Sequence, residues 1–116
     1  MNLAHAGRIV VAIGFLALLS TEALAECLSS YRMCQDVYIT RLVTDRAEVD
    51  IQTTGTWSNL SCTPLAGGYF QLEMTAPNAK EIYSHILTLH LQKRLASVRL
   101  SDSQSTCTVV YVYSDN

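Results

Sequence analysis

Alternating apolar and polar residues dominate the chain and predict a fold made mainly of β-strands. The clearest period of two runs over residues 47–53, where Ala47, Val49 and Ile51 alternate with charged and amide side chains. A strand with this pattern buries one face and exposes the other to water. Alternation, or a high content of β-branched and aromatic residues, predicts further strands at 37–43, 69–74, 98–100 and 106–113.

One segment changes to the helical period. Its apolar positions cover about half of a helical wheel, which is wider than one sheet contact needs in a small domain. Asn78 and Glu81 have capping-box spacing and predict the start of a helix that runs to about Leu95. Lys93 and Arg94 would then lie in the last turn, where cations suit the helix dipole. We expect a neighbouring subunit to cover the extra apolar width.

The resulting element order is β-β-β-α-β-β, with the helix between the third and fourth strands. This is the order of the oligonucleotide/oligosaccharide-binding (OB) fold, a small Greek-key barrel. A ferredoxin-like sandwich would need a helix between the first two strands, and a cystatin-like domain would place its helix before most strands. The pattern therefore predicts a mainly β fold with one helix, arranged as a small OB-fold barrel.

The first residues have the features of a secretory signal. Arg8 precedes an apolar block over residues 9–19, and Ala23 and Ala25 give the small-x-small pattern that signal peptidase accepts. The block is shorter than the roughly 20 apolar residues of a membrane span. We expect a signal peptide over residues 1–25 and one secreted or periplasmic domain over residues 26–116, with no membrane span.

The cysteines predict covalent stabilisation. An even number in a small secreted domain is typical of disulfides, and none of the four has the tight spacing of a zinc site. We favour Cys62–Cys107 together with the local pair Cys27–Cys34. If residues 27–34 were a straight helix, their ends would be too far apart, and Cys27–Cys107 with Cys34–Cys62 would be the better pairing.

Charge and composition exclude several classes of function. The formal net charge is −2 and no run of Lys or Arg occurs, so we expect no nucleic-acid binding. His85 and His90 lie five residues apart, not the four that place two metal ligands on one helical face. His90 lies near the centre of the apolar arc, and we expect a hydrogen-bonded core or interface histidine. Glu48, Asp50 and Glu73 fall at outward strand positions, so we predict no catalytic residue, no metal and no cofactor.

Several short runs resemble one bacterial toxin family. Residues 81–87 and 95–100 resemble the helix-to-strand region of the B subunits of pertussis-like and subtilase-type AB5 toxins, and residues 37–40 are similar to their first strand. Cys62, in a Ser-rich loop, also has a counterpart there. That family often has glycine at the end of the helix, where this chain has Lys93. The resemblance implies a secreted OB-fold domain that binds a glycan, forms a homo-pentamer and accompanies a toxin A subunit.

Four residues are candidates for ligand binding. Trp57 is the sole tryptophan and lies in the polar loop 54–68, where its ring suits a sugar or a protein partner, or folds back as a lid on the core. We add Asn59 from the same loop, and Tyr38 and Thr40 from the first predicted strand. The predicted function is a non-enzymatic binding module for a glycan or protein partner. The alternative is a monomeric periplasmic inhibitor or chaperone-like protein.

Overall fold

The structure, a computed structural model, describes Gly14 and residues 27–30, 32–101 and 105–115. Apart from Gly14, the predicted signal peptide and its cleavage site therefore lie outside the described residues. The elements are β1 (Cys27–Leu28), β2 (Met33–Val37), β3 (Ile39–Thr44), β4 (Glu48–Thr53), β5 (Phe70–Glu73), α1 (Ala79–Gln92), β6 (Ala96–Leu100) and β7 (Val109–Tyr113). The fold is mainly β with one helix, as the sequence pattern predicts.

The strands form two antiparallel sheets. One sheet has the order β1-β2-β6-β7 and the other the order β3-β4-β5. The predicted first strand is divided between them, because β2 ends at Val37 and β3 begins at Ile39, with only Tyr38 between. One nearly continuous run of chain thus belongs to both sheets.

The expected closed barrel is not observed in the described residues. The two sheets are separate, although one isolated parallel bridge joins Gln71 of β5 to Thr108, just before β7. There the Gln71 amide donates a hydrogen bond of 2.9 Å to the carbonyl oxygen of Cys107. The OB-fold barrel and its strand order are therefore not confirmed.

The core lies where the inner faces of the sheets meet α1. Val49, Ile51, Phe70 and Leu72 alternate along β4 and β5 and are essentially inaccessible to solvent. Ile86 of α1 is also fully buried in this cluster. Each such side chain contributes about 1.5–3 kcal/mol when it leaves water.

The helix begins differently from the capping-box prediction. Asn78 has a left-handed backbone with φ 62°, and its side chain makes no capping hydrogen bond. An asparagine that caps a helix through its side chain has an extended backbone conformation, in the β region. The prediction that Asn78 caps the helix through its side chain is therefore wrong.

The helix also ends earlier than predicted, at Gln92. Lys93 has a left-handed backbone with φ 52°, the Lys93 amide donates to the carbonyl of His90 and the Arg94 amide donates to that of Leu89. These two bonds form a Schellman motif, which ends a helix. Lys93 and Arg94 consequently follow the last turn instead of lying within it.

Two disulfides stabilise the β1-β2 hairpin and the long loop between β4 and β5. Cys27 and Cys34 face each other across β1 and β2, and Cys62 ties the long loop to Cys107. This is the pairing favoured from the sequence, and strands at residues 27–34 remove the helical alternative. In the chain-entropy model, closing the loop of 45 residues stabilises the fold by about 4 kcal/mol.

Candidate ligand-binding groove

An open groove lies where β2 passes into β3, beside the carboxyl end of α1. Its volume is about 530 Å³. This is large enough for a small ligand, since such sites usually measure about 300–1,000 Å³. The lining residues are Tyr38, Ile39, Thr40, Thr54, His90 and Lys93.

Tyr38 is held by its backbone and not by its ring. Its amide donates to Thr54 Oγ1 at 3.0 Å, and the Thr54 amide donates to the Tyr38 carbonyl at 3.0 Å. These bonds fix the chain at the only residue between the two strands. Tyr38 as a whole residue is 45% exposed and is one of the lining residues, so the groove has an aromatic residue on a fixed backbone.

His90 joins the helix to the start of β3. Its Nδ1 lies 2.7 Å from the carbonyl oxygen of Ile39. A carbonyl oxygen only accepts, so Nδ1 carries the hydrogen of this bond. The hydrogen-bonded histidine expected from the sequence is confirmed, and its ring also lines the groove.

Lys93 reaches the groove because it directly follows Gln92, the last residue of the helix. The left-handed conformation suits glycine and costs a residue with a side chain about 1 kcal/mol. The chain keeps lysine here, which places a cationic side chain beside Tyr38 and His90. Opposite it, Thr40 Oγ1 donates to the Gln52 carbonyl at 3.2 Å.

The structure separates the four candidate ligand-binding residues into two places. Tyr38 and Thr40 line the groove, whereas Trp57 and Asn59 are not among its lining residues. Trp57 packs beside Gly68, where an added Cβ would lie 2.5 Å from the indole Nε1. The ring remains 44% exposed, so it neither closes the core completely nor faces the groove.

Sequence reasoning missed four of the groove residues, namely Ile39, Thr54, His90 and Lys93. The sequence pattern predicts only a loop at Thr54, because its role depends on pairing with Tyr38, which lies 16 residues earlier. The pattern places Lys93 in the last helical turn. No sequence signal marks this position, because glycine and not lysine is the usual residue of a left-handed helix end.

A second feature lies on the outer face of the β3-β4-β5 sheet, among its carboxylates. The pKa of Asp50 is raised to about 6, first by burial, then by a hydrogen bond shared with Glu48 and by the negative charges of Glu48 and Asp45. While neither carboxyl group carries a proton, Glu48 Oε2 and Asp50 Oδ1 are buried without a hydrogen-bond donor. A proton on Asp50 supplies the donor that two neighbouring carboxylates lack.

Neither the groove nor the carboxylate face has the ligands of a metal site. Within the part of the chain that the structure describes, no three His, Cys, Asp or Glu residues form a group that could hold a metal ion. The described residues also include no helix with the length and apolar character needed to cross a bilayer.

Comparison with protein-family models, curated proteins and solved structures finds no match for this chain.

Proposed function

We propose that this chain is a secreted, non-enzymatic module that binds a glycan in the groove. The observation that carries the proposal is the exposed ring of Tyr38 beside the hydrogen-bonding groups of Thr40, His90 and Lys93. Pyranose rings present an apolar face to aromatic side chains and hydroxyls to polar ones, and the groove offers both surfaces. None of its lining residues is a carboxylate, so the acid pair of a glycosidase is not available there.

The chain's organisation supports a relationship to OB-fold toxin B subunits. In a Greek-key barrel that is only partly closed, we expect a chain run that passes from one sheet to the other and a local bridge between the sheets. The run from β2 to β3 and the bridge between Gln71 and Thr108 have these features. The residues similar to the first strand of that family include Tyr38 and Thr40, which line the groove. The two disulfides support an oxidising compartment.

The test is a glycan array followed by titration calorimetry of the best ligand, with Tyr38→Ala compared with Tyr111→Ala. Both rings are similarly exposed, at 45% and 44%, but Tyr111 lies on β7 and does not line the groove. We expect Tyr38→Ala to weaken binding at least about tenfold, which corresponds to about 1.4 kcal/mol. Tyr111→Ala should leave affinity unchanged. Equal effects of the two variants, or an array without any signal, would contradict the proposal.

A second candidate function is binding of a protein by a monomeric periplasmic inhibitor or chaperone-like domain. It is favoured by Trp57, which is half-exposed outside the groove, since tryptophan is enriched at the energetic centres of protein interfaces. A protein ligand lost on Trp57→Ala but retained on Tyr38→Ala would identify this function. The opposite ranking would support the glycan module.

A further inference from the structure

One end of the outer face of the β3-β4-β5 sheet is basic. Arg41 and Gln52 are paired across β3 and β4, and Arg41 Nη1 lies 3.4 Å from the hydroxyl oxygen of Tyr69. Gln52 Nε2 in turn donates to the Gly67 carbonyl at 2.7 Å. We call Arg41, Gln52 and Tyr69 the basic row. The Tyr69 hydroxyl accepts from Arg41 and still has its own hydrogen to donate.

The other end of the same face is acidic. Glu48 and Glu73 are directly paired across β4 and β5, and the Asp45 amide donates to the Glu48 carbonyl at 2.9 Å. Directly paired residues project from the same side of a sheet. We call Asp45, Glu48 and Glu73 the acidic row. It lies four residues along the strands from the basic row, a distance of about 13 Å.

A middle row separates the two ends. Val43 pairs with Asp50, and Asp50 pairs with Gln71. Val43 is 41% exposed, whereas the inner-side residues of β4 and β5 are buried. The face therefore has Val43, Asp50 and Gln71 across its centre and opposite charges at its two ends.

We propose that two copies of this chain pair through this outer face, about a two-fold axis that runs along the middle row. Rotation about that axis keeps each strand opposite its own counterpart and exchanges the two ends. Arg41 of one copy then meets Asp45 and Glu48 of the other, and the reverse contact forms at the same time. An isologous interface requires a surface that is complementary to itself, and this charge distribution meets that requirement.

The same axis places the middle rows of the two copies in contact. Val43 meets Val43, and Gln71 meets Gln71 with an amide that both donates and accepts. Asp50 meets Asp50, and these like charges repel while both are ionised. The charged groups around Asp50 are Glu48 on its own strand, Arg41 and Asp45 on the β3 side, and Glu73 on β5. Because the pKa of Asp50 is raised to about 6, mild acid protonates Asp50 and removes the repulsion between the two copies.

The test is sedimentation velocity of the purified protein with the variants Arg41→Glu, Asp45→Arg and the double exchange. Each single variant places like charges opposite each other, so we expect the association constant to fall at least about tenfold. The double exchange restores opposite charges between positions 41 and 45 in both symmetry-related contacts but leaves Glu48 opposite the new glutamate. It should therefore raise the association constant above that of either single variant without fully restoring the original value. Lys80→Glu, an exposed cation of α1 with the same change in net charge, is the matched control and should have no effect.

The salt and pH dependence of dimerisation test the proposal on the unaltered protein, independently of whether the variants fold. Dimerisation of the unaltered protein should weaken with added salt and strengthen from about pH 7.5 to about pH 5 as Asp50 is protonated. A monomer at both pH values up to about 1 mM protein would overturn the proposal. So would an assembly, of any size, that Arg41→Glu and Lys80→Glu affect equally.

Discussion

The two faces of the β3-β4-β5 sheet consist of alternate residues of the same strands, yet they follow different rules. The inner face is a row of aliphatic and aromatic side chains that exclude water, and any apolar residue of suitable volume satisfies it. The outer face depends on which polar residue lies opposite which, because charge and hydrogen bonding depend on distance. Local period therefore determines the first, and strand register determines the second.

The largest expected contrast is between two neighbouring residues of β5. Phe70 is fully buried and Gln71 is partly exposed on the opposite face. Phe70→Ala should lower the free energy of unfolding by about 3–5 kcal/mol through lost burial and a cavity. Gln71→Ala should change it by less than about 0.5 kcal/mol. Urea denaturation measures both, and similar losses would show that the outer face is as tightly packed as the inner one.

Two glycine substitutions should have effects on stability of intermediate size, and they compare a buried site with a half-exposed one. A Cβ at Gly55 would lie 2.8 Å from Cys27 Sγ and 3.0 Å from Val37, both buried and unable to move. Gly55→Ala should therefore destabilise the protein by about 1–3 kcal/mol. A Cβ at Gly68 would meet the half-exposed Trp57, which can swing outwards, so the cost should be nearer the roughly 1 kcal/mol of its positive φ.

The fluorescence of Trp57 separates these two glycine variants. Because this is the sole tryptophan, its emission reports on one place. Gly68→Ala should shift the emission towards that of a solvated indole, whereas Gly55→Ala should leave it unchanged. A shift in the Gly55 variant would mean that the buried disulfide and the loop of Trp57 move together.

The smallest expected effect is a gain in stability on the outer face. The pKa of Asp50 is raised from 3.8 to about 6 in the folded state, so the folded protein binds more protons between these values and its stability increases as pH falls through that window. Asp50→Asn should remove this dependence and stabilise the protein at neutral pH by about 1 kcal/mol, a value discounted for solvent screening. Thermal melts near pH 7 and pH 5 measure it. An equal pH slope in the variant would assign the dependence to another group.

The inner face was predictable because its signal is local. Val49, Ile51, Phe70 and Leu72 are the apolar positions of two alternating patterns, and all four are buried. The break at Tyr38 was not predictable in this way, since the β-branched run on either side of it continues without interruption. It arises from hydrogen bonds to Thr54, which belongs to a different part of the chain.

In the candidate sites too, some residues are predictable from the local pattern and others depend on distant parts of the chain. Tyr38 and Thr40 were recognised as ligand-binding candidates from the first strand, but the groove also needs the carboxyl end of α1. The left-handed turn that places Lys93 there follows from helix termination, and lysine gives no sequence signal for it. The coupled carboxylates likewise depend on Glu48 and Asp50 being partly shielded, which alternation alone does not reveal.

The single residue between β2 and β3 has a consequence for amide exchange. Tyr38 is the mechanical link between two sheets that otherwise meet through few backbone bonds. A molecule that rests on its ring would restrain both strands at once. Deuterium uptake should then slow in Met33–Val37 and Ile39–Thr44 together, even though only the second strand borders the occupied space.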